Sequence, residues 1–224
     1  MSKEFRIEKK TASDKSFRIE KVMGMFELQK DHLTQTFSGD FNLPDKWNVG
    51  VIVGRSGTGK STIAKNFFSL FSTKYDKKAI IDEMPKDKTV EEITKVFTRV
   101  GFSSPPSWLK PYDVLSNGEK MRVDLAKALL SDASTIVFDE FTSVVDRDVA
   151  KIVSLVVSKT VRQENKKFVA VTCHYDVLDW LEADWVFSTD EMKMINVKKN
   201  DQTYHYEFID QRQTTGSYLE TIII

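Results

Sequence analysis

Trp47-Asn-Val-Gly-Val-Ile-Val53, running straight into Gly54-Arg-Ser-Gly-Thr-Gly59-Lys60-Ser61, decides how this chain folds. The first run is apolar and β-branched, the composition of a buried strand. The second fits the pattern G-x-x-x-x-G-K-[ST] without a mismatch. Thr62-Ile-Ala-Lys-Asn-Phe-Phe-Ser-Leu-Phe71 then repeats apolar residues at helical spacing. Strand, glycine-rich loop and helix, in that order, form a phosphate cradle. Glycines allow positive φ and let backbone N–H groups close on the phosphates. Lys60 reaches the β/γ oxygens as a point charge, and the Ser61 hydroxyl suits Mg²⁺. A helix opening near Lys60 aims its positive end at the same anion. A plain glycine-rich turn is the alternative, and its flanks argue against it.

Two further strand ends carry chemistry. Ser134-Thr-Ile-Val-Phe138 is a short β-branched run ending in Asp139-Glu140. A carboxylate at the end of a buried parallel strand can hold Mg²⁺ beside a phosphate loop. Glu140, one residue on, faces differently and can polarise an attacking water. Taken alone, such a pair also fits a solvated strand end. Phe168-Val-Ala-Val-Thr-Cys-His174 is another apolar strand, closing in a histidine 35 residues after Asp139. An isolated histidine is often a satisfied structural residue, but this one ends a strand at a telling distance. Cys173, the single cysteine, reads as a small buried apolar side chain.

Leu115-Ser-Asn-Gly-Glu-Lys-Met-Arg-Val-Asp-Leu-Ala-Lys-Ala-Leu129, then Asp139-Glu-Phe-Thr-Ser-Val-Val-Asp146, resembles the signature helix, Walker B strand and D-loop of the ATP-binding-cassette (ABC) ATPases. The resemblance spans about residues 20–190. It implies an α/β P-loop NTPase with a RecA-like parallel sheet core, an N-terminal antiparallel β part and a short helical part. It implies ATP with Mg²⁺, bound by Gly54, Arg55, Ser56, Gly57, Thr58, Gly59, Lys60, Ser61 and Thr62 of one protomer. Ser61 and Asp139 would hold the metal, and Glu140, His174 and Lys60 would carry the chemistry. Ser116, Asn117 and Gly118 would contact the γ-phosphate held by a second copy, with Asp146 across that ATP-dependent homodimer interface. His174 matches the family's switch histidine. For the aromatic that stacks on adenine the candidate is Phe26, 28 residues before Gly54; Phe37 or plain core packing are the alternatives.

The chain departs from the family at three positions. Lys86 stands where aligning Ile81-Asp-Glu-Met-Pro85-Lys86-Asp87 puts the Q-loop glutamine, and a cation cannot ligate Mg²⁺. Asn117 replaces the usual first signature glycine, and asparagine tolerates left-handed angles. Glu119 replaces the usual glutamine.

The interval from Ser61 to Leu115 is only 54 residues, shorter than in most transporter cassettes and without the coiled coil of chromosome-structure ATPases. With Val100-Gly-Phe-Ser-Ser-Pro-Pro-Ser-Trp-Leu-Lys-Pro111 it is similar to a soluble stand-alone prokaryotic and phage group that often accompanies an acetyltransferase domain. No such domain is recognisable here, so no transferase activity is implied. Expected functions are a soluble ATP-driven dimerisation switch, or a nucleotide-gated module binding nucleic acid or protein, or the ATPase subunit of an ABC transporter. The Pro-Ser loop 103–111 reads either as a rigid connector whose Trp108 packs on the helical part or as a docking surface for a protein partner.

Composition agrees with one packed domain. The chain has 224 residues, 41% hydrophobic content and four Trp, enough to bury roughly 70% of its unfolded surface. Lys plus Arg and Asp plus Glu are each 33. That balance offers no whole-molecule attraction to nucleic acid or an anionic membrane. Lys159 to Lys167 is a local basic run that fits a solvated helix end. One cysteine suits a reducing compartment. No apolar run approaches a membrane span and no signal peptide is recognisable, so a cytoplasmic protein is expected.

The expected organisation is 1–48 antiparallel β, 49–85 and 130–190 P-loop core, 86–129 helical and signature part, and 191–224 a C-terminal β extension. Phe5-Arg-Ile-Glu-Lys9 and Phe17-Arg-Ile-Glu-Lys21 read as a hairpin turning over Thr11 to Ser16, with a strand near Thr36 to Leu43. Lys78 to Met84 reads as a strand. Thr89-Val-Glu-Glu92 is a capping-box word opening a helix to about Val100. Val177 to Leu181 reads as a helix, with strands at Trp185 to Phe187, Tyr204 to Ile209 and Thr221 to Ile224.

Overall fold

The computed structural model describes residues 4–10, 16–27, 34–200 and 203–208. The chain divides into two compact units, Met1–Asn42 and Leu43–Ile224. In the first, strand β1 (Glu4–Lys10) pairs antiparallel with β2 (Thr34–Asp40), bringing Ile7 opposite Phe37. Between them lies helix α1 (Phe17–Met25). The expected hairpin is therefore wrong in its second arm. Ser16 adopts an extended backbone and its hydroxyl accepts from the Ile19 amide, an N-cap that commits the following residues to a helix. The turn expected over Thr11 to Ser16 lies outside the described residues except for Ser16, as do Ile209 and Thr221 to Ile224.

The second unit is built on a six-stranded sheet with order β4-β5-β3-β6-β7-β8. β3 (Val49–Val53), β4 (Thr135–Phe138), β5 (Lys167–Thr172) and β6 (Trp185–Ser188) are parallel, while β7 (Lys193–Asn200) and β8 (Thr203–Phe208) continue antiparallel. Every residue of β3 is buried, as a central parallel strand covered on both faces requires. The helices are α2 (Lys60–Phe67), α3 (Val90–Arg99), α4 (Pro105–Trp108), α5 (Asn117–Leu130), α6 (Arg147–Gln163) and α7 (Val177–Leu181). Asp184 ties strand starts together: its Oδ2 accepts from the amides of Asn48 and Val49, each at 2.8 Å, and the carboxylate meets Arg162 Nη1 at 3.0 Å.

One close approach fixes the register of β3 against β6. Gly50 faces Trp185, and a Cβ at Gly50 would stand 2.0 Å from the Trp185 ring. That ring is boxed in by Trp47, edge-on at 5.4 Å, and by Phe68, stacked at 6.2 Å. It has nowhere to go. Gly50→Ala is expected to destabilise the protein by about 3 kcal/mol through overpacking, which lowers the melting temperature by roughly 6–12 °C. A melting curve within about 2 °C of the parent's would show that the ring relaxes freely.

The helical part is pinned by its own caps and aromatics. Thr89 and Glu92 form the full capping box expected from the sequence. Below it, Phe97 packs edge-on to Phe102 at 5.2 Å, and the indole N–H of Trp108 donates to the Phe102 carbonyl at 2.8 Å. Trp108 is thus an anchor, as in the connector reading of the Pro-Ser loop. Three other expectations are corrected. Lys78 to Met84 is not a strand: Ile80–Glu83 is a 3₁₀ turn and only Ala79 bridges, to Pro111. Glu83 bends the chain there by accepting from the amides of Asp76 and Lys78. The basic run at 159–167 is only partly solvated, because Lys166 Nζ donates to the carbonyls of Leu129 and Ser131 at the end of α5. Cys173 is exposed rather than buried, since β5 ends at Thr172 and the next residue already belongs to a loop. Among the described residues no helix is long and apolar enough to cross a membrane.

Candidate active site

The carboxyl ends of parallel strands β3, β4 and β5 converge, as open α/β sheets place their ligand sites. From β3 springs the loop of Gly54 to Gly59. Gly57 and Gly59 sit at φ of 83° and 92°, the left-handed region that favours glycine. Gly54 answers to crowding as well, because a Cβ there would lie 2.2 Å from Thr189 Oγ1. Arg55, Ser56 and Gly57 are exposed; Thr58, Gly59, Lys60, Ser61 and Thr62 are half-buried. Helix α2 starts at Lys60, so its free amides face the loop. Lys60 Nζ donates to the carbonyls of Gly54 at 2.8 Å and Arg55 at 2.7 Å. Hydrogen bonds to an ionised acceptor are roughly twice as strong as those to neutral ones, so an anion reaching the loop could compete for this ammonium.

Beside the loop, Ser61 Oγ donates to Asp139 Oδ1 at 3.0 Å, joining the start of α2 to the end of β4. A hydroxyl and a carboxylate at this distance are the hard oxygen donors that Mg²⁺ takes. Among the described residues no group of three or more His, Cys, Asp or Glu could hold a metal. A cation here would complete its shell with water and phosphate oxygens, which suits Mg²⁺ rather than an ion that wants an all-protein cage.

Glu140 follows, exposed, in the left-handed region at φ 52°, with its amide donating to Asp139 Oδ1 at 3.0 Å. Thr142, β-branched and fully buried, has φ 65°. Each left-handed non-glycine residue costs about 1–2 kcal/mol. The fold enforces them by burying Phe141, whose amide donates to the Val171 carbonyl at 2.9 Å. Strain of this kind gathers at functional sites.

His174, in the loop just past β5, is half-buried. Its Nδ1 lies 3.3 Å from Thr142 Oγ1 and 3.1 Å from Arg147 Nη1. Burial first, and then the Arg147 charge, hold its pKa below the ordinary histidine value against an opposing pull from Asp176. The next residue, Tyr175, reaches back to the phosphate loop. Its hydroxyl donates to Asp190 Oδ2 at 3.0 Å, and Asp190 pairs with Arg55 at 2.9 Å. Burial raises the Asp190 pKa, but Arg55 and Tyr175 outweigh it and leave the carboxyl below its usual range. Thr58 and Thr189 hydroxyls meet at 2.5 Å. Sequence reasoning does not single out Arg147, Tyr175, Thr189 or Asp190. For the last two the available signal is the end of strand β6; for Arg147 it is adjacency to Asp146.

The signature residues head helix α5. Ser116 is its N-cap, with Ser116 Oγ accepting from the Glu119 amide at 3.3 Å and Glu119 Oε2 accepting from the Ser116 amide at 3.0 Å. The unusual Glu119 thus completes a capping box. It also accepts from Ser107 Oγ at 3.1 Å, fastening the Pro-Ser loop to the signature turn. Ser116 and Asn117 are exposed and Gly118 half-exposed, near the Val144 carbonyl. Asp146, exposed, caps α6 by accepting from the Val149 amide at 2.9 Å. Phe26 lies in the first unit, 67% exposed at the C-cap of α1, and Phe37 of the same unit is buried. Lys86 is exposed in the turn before α3.

No family model matches the chain. It is 27% identical over 205 residues to the energy-coupling factor transporter ATP-binding protein EcfA1 of Staphylococcus aureus strain USA300, covering 72% of this chain and 74% of that one. The EcfA1 of the bovine strain RF122 is 28% identical over 202 residues, with the same coverage. Among solved structures, the dimeric ABC transporter cassette MJ0796 superposes with TM-score 0.54 at 14% identity, covering 69% of this chain and 87% of that one. CbiO1 of Clostridium perfringens, part of the ABC transporter complex cbiONQ, gives TM-score 0.53 at 19% identity, with coverages of 70% and 79%. At such identities the likeness speaks to architecture, and the architecture is that of an ATP-binding-cassette ATPase.

Proposed function

We propose that the chain is a Mg²⁺-dependent ATPase whose catalytic site is completed by a second copy of itself. The observation that carries the reading is the Ser61–Asp139 oxygen pair at the mouth of the glycine loop. In this reading Gly54 to Thr62 hold the triphosphate and Lys60 stabilises charge at the γ-phosphoryl. Ser61 and Asp139 would hold Mg²⁺, which would supply neutralisation of the phosphate charge. Glu140 accepts the proton of the attacking water, and His174 orients that water and the γ-phosphate. Ser116, Asn117 and Gly118, at the head of α5, reach the nucleotide of the partner copy, with Asp146 at the shared face in a two-fold arrangement. Phe26 is proposed for the adenine on sequence grounds alone. The likeness to MJ0796, solved as a dimer and also with ADP and Pi in a post-hydrolysis state, supports both association and turnover. Size-exclusion chromatography is expected to show ATP with Mg²⁺ doubling the apparent mass, reversed on hydrolysis; an unchanged elution volume at saturating ATP would count against the shared site.

What the cycle drives has two readings. The short interval before the signature and the Pro-Ser loop support a stand-alone cytoplasmic switch of the group that accompanies acetyltransferases, with 103–111 as its partner surface; Leu109 there is 71% exposed. The similarity to EcfA1, a transporter ATP-binding protein, favours a subunit that docks on membrane components. Stable co-purification with an integral membrane protein decides for the second.

A further inference from the structure

We infer that Arg147 is a positioning residue for His174, fixing the imidazole as the neutral tautomer whose proton sits on Nε2. A guanidinium offers five N–H donors and no lone pair. Arg147 Nη1 stands 3.1 Å from His174 Nδ1, so Nδ1 must present its lone pair. Thr142 Oγ1, 3.3 Å from the same nitrogen, has a hydroxyl hydrogen to give. The remaining ring proton is left on Nε2.

Arg147 is itself held from two sides. Its Nε donates to Asp176 Oδ2 at 2.9 Å, and its Nη2 bonds Asp176 Oδ1 in a bidentate fork. Its guanidinium lies 5.0 Å from the centroid of the Trp180 ring. Fork and ring leave Nη1 as the donor turned to the histidine. The charged groups acting on His174 are Arg147 from α6 and Asp176 from its own loop. The cation opposes a second ring proton, the carboxylate favours one, and with burial on the side of the cation the ring stays neutral. Arg147 is also the first residue of α6, immediately after Asp146. A shift of the loop that carries Asp146 therefore moves the donor that sets the histidine.

The tautomer stands on this geometry alone; its use depends on the proposed ATPase reading. There, an Nε2–H donates to a γ-phosphate oxygen, whereas an Nε2 lone pair would repel it. The test separates the two. Long-range ¹⁵N–¹H spectra of the full chain resolve His32, His174 and His205, and His174→Gln identifies the relevant set. The parent is expected to show protonated Nε2 and bare Nδ1 at neutral pH. Arg147→Met keeps an apolar stem over Trp180 but removes the donor and leaves Asp176 uncompensated. The His174 titration midpoint should then rise and the Nδ1–H form appear. Arg147→Lys, still a donor-only cation, should restore much of the Nε2–H population. In ATPase assays the acid limb of the kcat/KM profile should move to higher pH in Arg147→Met, because the neutral ring is lost sooner as pH falls. A parent His174 protonated on Nδ1, or a tautomer and midpoint unchanged in Arg147→Met, overturns the inference. The expected tautomer in a parent that hydrolyses no ATP overturns the ATPase reading instead and leaves the tautomer assignment standing.

Discussion

Glu140→Gln is expected to lower the ATP turnover rate by about 10²–10⁴-fold, the usual worth of a positioned general base, while leaving ATP binding intact. The amide keeps the volume of the Glu140 side chain but accepts no proton at neutral pH. Nothing in the phosphate loop changes, since Glu140 touches Asp139 and Ser143 through backbone atoms rather than its carboxylate. Binding without cleavage should trap the nucleotide, so the variant should accumulate as an ATP-dependent dimer where the parent cycles back to monomer. Steady-state phosphate release and sizing in the same buffer check both halves. Parental turnover would remove Glu140 from the base role; lost turnover with no stalled dimer would leave the base and discard the shared site.

The loop and strand-end residues of the candidate site are legible in sequence because they are announced locally. The glycine pattern needs only eight consecutive positions, and Asp139 and His174 are marked by the β-branched runs that end in them. Distance-dependent features are not legible. The pentapeptide Phe-Arg-Ile-Glu-Lys occurs twice, as strand β1 at 5–9 and as helix α1 at 17–21. Its alternation reads equally as strand in both places. What differs is the company: Ser16 caps the second copy, while the first pairs with β2. Ala79-Ile-Ile81 has the composition of a strand, yet Glu83 folds it into a 3₁₀ turn and the Ile80 amide is taken by the Lys110 carbonyl. Tertiary hydrogen bonds outweigh propensity there. Arg147 is 27 residues from His174, and only the packing of α6 against the loop after β5 reveals the contact. The Glu119 substitution illustrates the reverse case. From sequence it is a departure from a signature; in the structure it is a cap that also holds Ser107.

Mixing two inactive variants gives the second large effect. Lys60→Ala removes the cation of the phosphate loop but leaves its own Ser116 cap untouched. Ser116→Arg obstructs the signature turn with an exposed bulky cation while leaving its own phosphate loop intact. Each homodimer then has two spoiled sites and is expected to retain little or no turnover. In a mixed dimer one site combines the intact loop of the Ser116→Arg chain with the intact signature of the Lys60→Ala chain. Random association of equal amounts makes about half the dimers mixed, each with one of two sites whole, so about a quarter of parental activity should return. If instead each chain closes a site by itself, mixing restores nothing, because every individual chain carries a defect. Because Ser116 and Asn117 are exposed at the head of α5, the introduced guanidinium projects into solvent in the monomer. A melting temperature lowered in Ser116→Arg by no more than the roughly 2–4 °C that loss of its N-cap costs, with Lys60→Ala close to the parent, would assign the recovery to the shared site rather than to rescue of folding.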